Sequence, residues 1–452
     1  MAKPIVWRND ADERRLATYR ANTHLYKGDF TKVWRKLIPP DIEFKPVIMN
    51  DAKNITDAIA NLLFREAPGF VAATNFDAQP EIDRIIRDTN FNTTLKDQGI
   101  WGSVYGDSVF LVRHDEKQVQ IDFVHPGFFF AIFEPFNLNN VLTAILKFPL
   151  FDNEGQIRFV YQQIHRPGTI FHELWRADST RLLERLPLVD RPETAHLIDV
   201  ERTGVDEILV VHAKNINCPG EPYGLSDYTP AIKTKFRARS AILTQFDMVR
   251  AKHSNPKLAL PQSMLDSLRN EETGEISVKR EDLDMIGLEQ GEDVKMIVWD
   301  GELKVSLEES RVLQEQIFDE AKISPALLGK SGGGIEGGET GRASIMKLLA
   351  SLGLAHTKQQ LLEPAIQKVL RVAQKLENSR REPSQRYDPS EVKIAWRDGL
   401  PADSLTDTQR VSIRLADGTM SKIQAIVELD GVTEKEAAVR IALIDADTES
   451  IE

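Results

Sequence analysis

The chain has 452 residues, a formal net charge of −12 and 41% hydrophobic residues, which is typical of a globular protein with several domains. The negative charge argues against a protein that grips nucleic acid through a broad basic surface. The single cysteine, Cys218, excludes a disulfide framework and a thiolate metal site. No apolar run is long enough for a membrane span, and the N-terminus lacks a signal-peptide core, so we expect a cytoplasmic protein without a membrane partner.

The first hundred residues predict helices, because charged and apolar residues are mixed with polar breaks between them. The predicted helical segments are 11–21, 29–37, 53–65 and 79–98. Asp51 and Asn54 are plausible N-caps of the third segment.

Residues 101 to 215 predict an antiparallel sheet, because short β-branched and aromatic runs alternate with turn residues. The predicted strands are 108–113, 118–124, 128–133, 141–148, 156–163, 169–176 and 207–212. The histidines of this region include His114, His125, His165, His172 and His196. Their spacing matches no metal or catalytic motif, so we assign them no such role.

Residues 216 to 255 predict a loop rich in proline and glycine, followed by a long helix with Pro230 in its first turn. The helix is basic within an acidic protein, through Lys233, Lys235, Arg237, Arg239, Arg250 and Lys252. These charges do not collect on one helical face. Two interpretations stay open, a solvated or intersubunit helix and a helix that contacts a polyanion.

Residues 256 to 303 predict a compact insert with strands at 257–260 and 294–299 and a short helix at 262–268. From Asp266 to Glu302 the insert has twelve acidic and four basic residues. A charge run is usually a solvated surface, but between two helices it is also a candidate docking surface. The candidate docking residues are Glu271, Glu272, Glu281, Asp282 and Asp284.

Residues 304 to 378 predict a helix, a glycine-rich loop and a second helix. Ser306 and Glu309 have the spacing of a capping box at the first helix, which should end before Pro325. The loop, 329–341, contains seven glycines. The second helix should run over 342–362, and Pro364 should kink or restart it.

The sequence Gly329-Lys330-Ser331 resembles the end of a phosphate-binding loop, but its context is wrong. That motif needs a glycine where Ser324 stands, a preceding buried strand and a helix directly after the lysine. We therefore predict no nucleotide site, no cofactor and no enzymatic activity. Taken alone, the loop is equally well a disordered surface linker.

Residues 379 to 402 predict an irregular return with one strand at 392–396. Residues 404 to 448 predict three short helices with capping boxes at Thr406/Gln409, Ser421/Gln424 and Thr433/Glu436. Gly418 and Gly431 stand where helices end.

The series of these parts resembles the portal proteins of tailed bacteriophages. The stretches that carry the resemblance are Tyr105-Gly-Asp-Ser-Val-Phe-Leu-Val112, Gln120-Ile-Asp-Phe-Val-His-Pro126, Gly224-Leu-Ser-Asp227, Asn255-Pro256, Trp299, Ile323-Ser-Pro-Ala-Leu-Leu-Gly329, Thr340-Gly-Arg-Ala-Ser344, Asp417-Gly-Thr-Met-Ser421 and Val432-Thr-Glu-Lys-Glu436. No single stretch is as specific as a catalytic signature. The specificity lies in their order along nearly the whole chain.

The resemblance implies an α+β, multidomain fold with a mixed α/β wing, a two-helix stem, a small α/β clip, a long kinked spine helix and a helical crown. The implied boundaries are 1–222 for the wing, 223–255 and 304–324 for the stem helices, 256–303 for the clip, 325–341 for the tunnel loop, 342–402 for the kinked helix and its return, and 403–452 for the crown.

The resemblance also implies a ring, usually of twelve subunits, at one capsid vertex of the virion, assembled in the host cytoplasm. Double-stranded DNA would pass through it without sequence preference. The implied partners are the terminase large subunit, a head-completion or adaptor protein, and the major capsid and scaffolding proteins. The alternative is a non-portal phage adaptor or scaffold that binds through its C-terminal helices.

In such a ring the glycine-rich loop would face the DNA, because glycine lets a backbone approach a duplex closely. The candidate loop residues are Gly329, Lys330, Ser331, Gly334, Ile335, Glu336, Gly338 and Arg342. Phosphate contacts must stay weak, since strong neutralisation would stall the DNA. Lys233, Arg237 and Arg239 would add a few DNA contacts or form intersubunit ion pairs.

Overall fold

The computed structural model describes residues 5–6, 8–29, 47–115, 117–152, 155–178, 181–253, 257–261, 285–288, 295–297, 303–328, 341–397, 404–430 and 434–449. The fold is mixed α+β, with helices near both ends of the described chain and mainly antiparallel sheets between them. The predicted helix at 29–37 lies almost wholly outside the described residues.

The described residues before Gly106 contain four helices. They are α1 (Asp10–Lys27), α2 (Asp51–Phe64), α3 (Gln79–Asp88) and α4 (Phe91–Tyr105). The cap prediction for α2 was wrong, because Asn50 is the N-cap and its side chain accepts from the Lys53 amide. The single helix predicted at 79–98 is two helices, separated where Asn90 adopts a φ of 51°. The second continues to Tyr105, beyond the predicted start of the sheet region.

Seven strands form the large sheet, in the order β1-β9-β8-β7-β6-β5 with β10 paired to β8. The strands are β1 (Ile5–Val6), β5 (Phe129–Glu134), β6 (Asn137–Phe151), β7 (Ile157–Arg166), β8 (Thr169–Ala177), β9 (Arg181–Leu186) and β10 (Val200–Arg202). All their pairings are antiparallel, as the sequence predicts. The sequence did not predict β1, β9 or β10, since each is short or highly charged.

Two smaller sheets complete the body. One has the order β11-β3-β4, from β3 (Asp107–His114), β4 (Val119–Phe123) and β11 (Val210–Lys214). The other pairs β2 (Gly69–Ala72) with β15 (Val392–Ala395), which returns from near the C-terminus. The predicted strand at 392–396 is therefore confirmed, and β2 is an unpredicted partner.

Two long helices flank the insert in the chain. They are α5 (Pro230–His253) and α6 (Leu303–Glu320). Between them β12 (Lys257–Pro261) pairs parallel with β13 (Met285–Leu288) and antiparallel with β14 (Lys295–Ile297). The helix predicted at 262–268 lies outside the described residues. Because α6 begins at Leu303, Ser306 lies inside its first turn, so the predicted N-cap at Ser306 was wrong.

The longest helix, α7 (Gly341–Arg380), has 40 residues and contains Pro364. The helix continues through the proline, so the alternative that Pro364 restarts it was wrong. Its C-terminal half is in the main core, where Ile366, Val369 and Ala373 are fully buried. This half therefore ties together the first helices and the β11-β3-β4 sheet.

The chain ends with α8 (Ser404–Ala416), α9 (Lys422–Asp430) and α10 (Glu434–Glu449). The capping box of Ser421 and Gln424 is confirmed by both reciprocal hydrogen bonds, each 3.2 Å long. The predicted capping box at Thr406 was wrong, because α8 begins at Ser404, two residues earlier. Thr433 and Gly431 lie outside the described residues, and Gly418 follows α8 with a φ of 67°.

Candidate functional site

The two helices that project the insert, α5 and α6, are called the stem hairpin. The hairpin is antiparallel, because Lys235 near the start of α5 pairs with Glu320 at the end of α6. Further along α5, Arg239 donates to the Ser310 carbonyl at 3.2 Å. By helical rise the 24 residues of α5 extend over about 36 Å. The hairpin can therefore carry the insert well away from the body.

The hairpin joins the body where two glycines meet. A Cβ on Gly224 would lie 2.1 Å from the Gly106 carbonyl oxygen, which no real contact allows. Gly106 itself has a φ of 92°, which favours glycine. Gly106 follows α4 and Gly224 precedes α5. The sequence stretches at 105–112 and 224–227 are thus in contact through their backbones.

A buried ion pair then connects this contact to α7. Lys358 of α7 donates to both carboxylate oxygens of Asp227, at 2.8 and 3.0 Å. It also donates to the Asn215 side-chain oxygen at 2.5 Å. Ser103 of α4 and the Asn215 amide donate to the same carboxylate. Because Lys358 and Asp227 are buried, this network holds α4, the β11 end, the start of α5 and α7 in one arrangement. The contact and this network together are called the junction.

A second buried ion pair connects the stem hairpin to α2. Arg239 forms an ion pair with Asp51, and both side chains are at most 7% exposed. Gln314 of α6 donates to the other Asp51 oxygen at 3.2 Å. Asp51 also lies in the first turn of α2, where the helix dipole favours a negative charge. The prediction that Arg239 contacts DNA or a neighbouring subunit was therefore wrong, because its charge is used inside the chain.

The other basic residues of α5 differ from Arg239. Lys235 pairs with Glu320 of α6, as described above. Lys233 is half-buried, and this burial lowers the pKa of its ammonium group. Arg237 is exposed. Among the residues that the structure describes, neither Lys233 nor Arg237 has a carboxylate within ion-pair distance, so both stay available for an external partner.

Most of the other predicted site residues lie outside the described part of the chain. These are Gly329, Lys330, Ser331, Gly334, Ile335, Glu336 and Gly338 of the loop and Glu271, Glu272, Glu281, Asp282 and Asp284 of the insert. Arg342 lies in the first turn of α7, directly after the loop.

A groove of about 630 Å³ was not predicted from the sequence. It lies between α1, the edge of β5 and β6, and the loop before α5. The Arg15 guanidinium lies 4.0 Å from the Tyr223 ring centroid and donates to the Phe129 carbonyl at 3.0 Å. Burial lowers the pKa of Lys147 to about 8. No sequence signal could have found this groove, because its residues come from segments far apart in the chain.

The histidines have packing roles where the structure buries them. His165 and His172 lie in β7 and β8, and the Tyr161 hydroxyl is 2.7 Å from Nδ1 of His172. Burial, and then the neighbouring His172, lower the pKa of His165 to about 3. Within the described ranges no three His, Cys, Asp or Glu side chains are placed to hold a metal ion. No described helix is long and apolar enough to cross a membrane.

The chain matches no model of a known protein family, and no curated protein matches it. Among solved structures it resembles a chain described as "Neck of empty GTA particle computed with C6 symmetry". The two align over 95% of each chain, with 12% identity and a TM-score of 0.47. Likeness at this level does not establish a shared function, so a functional hypothesis has to rest on the elements of this chain.

Proposed function

We propose that the chain is the subunit of a portal-type ring of a tailed bacteriophage, a head–tail connector through which double-stranded DNA is packaged and ejected. One observation carries the proposal. The stem hairpin carries a small separate sheet at its far end, is held to an α/β body by buried ion pairs, and is followed by a glycine-rich segment and a 40-residue helix. This series of parts supports the proposal, because the resemblance of the sequence implies a stem, a clip, a loop and a long helix in the same order.

The physical properties of the parts fit a channel that passes DNA without binding it tightly. A formal charge of −12 per chain would make a ring strongly acidic, and an acidic lining repels a duplex. The loop at 329–341 would make the few close contacts with the DNA, with Lys330 and Arg342 at its two ends. The insert would dock the terminase and later the head-completion protein.

Negative-stain electron microscopy of the purified protein tests this proposal. We expect closed rings, on the scale of twelve copies, with a central hole wide enough for a DNA duplex. Monomers or dimers at high concentration would contradict it. In a second measurement, ATP hydrolysis by the pure protein would contradict the passive, non-enzymatic channel.

Deletion of 332–338 tests the role of the loop within that function. We expect rings of normal appearance whose particles package or retain less DNA, because only the DNA-facing segment is shortened. Loss of ring assembly would instead make the loop a structural element. The control is deletion of the exposed Gly155 between β6 and β7, which removes a glycine far from the loop in sequence and should leave packaging unchanged.

The adaptor alternative has one observation in its favour. The C-terminal helices have a small core of their own, and they expose Ile413, Val439 and Leu443 by 61%, 61% and 62%. A protein that ends at residue 402 separates the two functions. We expect it to keep the stem hairpin and still associate into oligomers, whereas an adaptor that binds through these helices would lose all association.

A further inference from the structure

The four basic residues in the first half of α5 fall into two sets on opposite sides of the helix. Lys235 and Arg239 point toward α6 and α2, where each has a carboxylate partner. Lys233 and Arg237 each lie two residues before a member of that set. Since an α-helix turns by about 100° per residue, two residues correspond to about 200°, nearly the opposite side. Lys233 and Arg237 therefore point away from α6.

Helix α6 has the opposite charge on its own outer side. Its inner side contains the buried residues Ser310 and Ile317. Glu308, Glu315 and Asp319 have the spacing of a single stripe on the other side, and all three are exposed. Lys304 and Arg311 have the same spacing, so this side has two cations against three carboxylates, and Arg311 lies 3.9 Å from Glu308 and 3.2 Å from Glu315. The outer side of α6 remains negative.

The net charges of the two helices also have opposite signs. Helix α5 has six basic residues and one acidic residue, whereas α6 has two basic and five acidic residues. The stem hairpin thus has cations on one outer side and carboxylates on the other. One chain cannot bring these two sides together, because they point in opposite directions. A second copy of the chain can.

We propose that the stem hairpins of neighbouring copies associate head to tail, with Lys233 and Arg237 of one copy against Glu308, Glu315 and Asp319 of the next. The contact uses two different surfaces, so it is heterologous, and repeated heterologous contacts close into a ring when the rotation allows. Closure rests on the proposed portal function, whereas the pairing rests on the two charged sides alone. The half-buried ammonium of Lys233 gains a carboxylate partner on association.

Charge reversal tests the proposal with the full-length protein. One variant, K233E/R237E, makes both outer sides of the hairpin acidic, and a second, E315K/D319K, makes α6 basic. We expect each variant alone to need at least about tenfold more protein for half-assembly in sedimentation velocity. An equimolar mixture should assemble like the wild type, because each acidic side then meets a basic one. High salt should weaken wild-type assembly.

The control is R14E/R20E, which changes the net charge by the same amount as K233E/R237E on exposed positions of α1 and should assemble normally. Unchanged thermal unfolding of all variants would exclude misfolding, since the altered side chains lie outside the core. Wild-type-like assembly of K233E/R237E with lost DNA binding would overturn the pairing and leave the ring intact. Failure of the mixture to recover assembly would overturn it as well. Charge-dependent open oligomers without rings would instead support the pairing and contradict the portal function.

Discussion

Arg237 and Arg239 lie two residues apart on α5 and have opposite surroundings. Arg239 is buried against Asp51, and its guanidinium connects α2, α5 and α6. Arg237 is exposed and, within the described part of the chain, has no carboxylate near it. The comparison shows that the root of the stem hairpin and its outer side use the same residue type for different purposes. At the root, charge fixes the geometry of one chain, and on the outer side it is available to another molecule.

The largest expected effect comes from the buried pair. R239M should lower the free energy of unfolding by about 3–5 kcal/mol, because it leaves the Asp51 carboxylate buried without its cation. R237M, the matched control on the exposed side, should change it by less than about 0.5 kcal/mol. Denaturant titration at a concentration where the chain is monomeric measures both. Equal effects of the two variants would remove the distinction between the two sides.

A slightly smaller decrease in the free energy of unfolding is expected at the junction. K358M leaves Asp227 buried, but Ser103 and Asn215 still donate to its carboxylate. We therefore expect K358M to lower the free energy of unfolding by about 3 kcal/mol, at the lower end of the range for a broken buried pair. Q360M, exposed on the same helix, is the control for a methionine in α7. A K358M protein as stable as Q360M would mean that the network does not hold the junction.

Two glycine substitutions compare the junction with the exposed part of α7. G224A should cost about 1–3 kcal/mol, because the new methyl group overlaps the Gly106 carbonyl and the backbone must shift. G353A has no atom within 4 Å of the new Cβ and should stabilise the helix by up to about 1 kcal/mol. Thermal unfolding measures whether each substitution stabilises or destabilises the protein. A change of the same sign in both proteins would contradict the close packing at Gly224.

The effect that is smallest at neutral pH is a pH dependence in the large sheet, which grows only as the pH falls. The pKa of His165 is lowered from the ordinary value of 6.5 to about 3, mainly by burial. Below pH 6.5 the unfolded chain binds a proton that the folded chain does not, so stability falls as the pH drops toward 3. The loss is up to about 1.4 kcal/mol per pH unit.

H165Q should flatten the dependence of unfolding free energy on pH between 6.5 and 3. H196Q, in an exposed loop, should leave the slope as in the wild type. An unchanged slope in H165Q would show that protonation of other groups causes the acid sensitivity of the sheet.

Much of the element order was predictable because its signals are local. Seven strands of the β-rich region were placed by alternation and turn residues, and Pro230 was placed correctly in the first turn of α5. Errors occurred where a long-range contact overrides a local preference. Asp51 has the residue type of an N-cap, but Asn50 takes that position and Asp51 pairs with Arg239, 188 residues away.

The sequence alone determined most of the elements and their order, the basic character of α5 and the acidic character of α6 and the insert, because composition and periodicity are properties of short segments. The tertiary structure alone decided which charge of α5 is buried, that Gly106 meets Gly224, and that Lys358 reaches Asp227. These facts depend on which helices pack together. Packing sets the solvation of each charge, and solvation decides whether a basic residue stabilises its own chain or stays available to a neighbour.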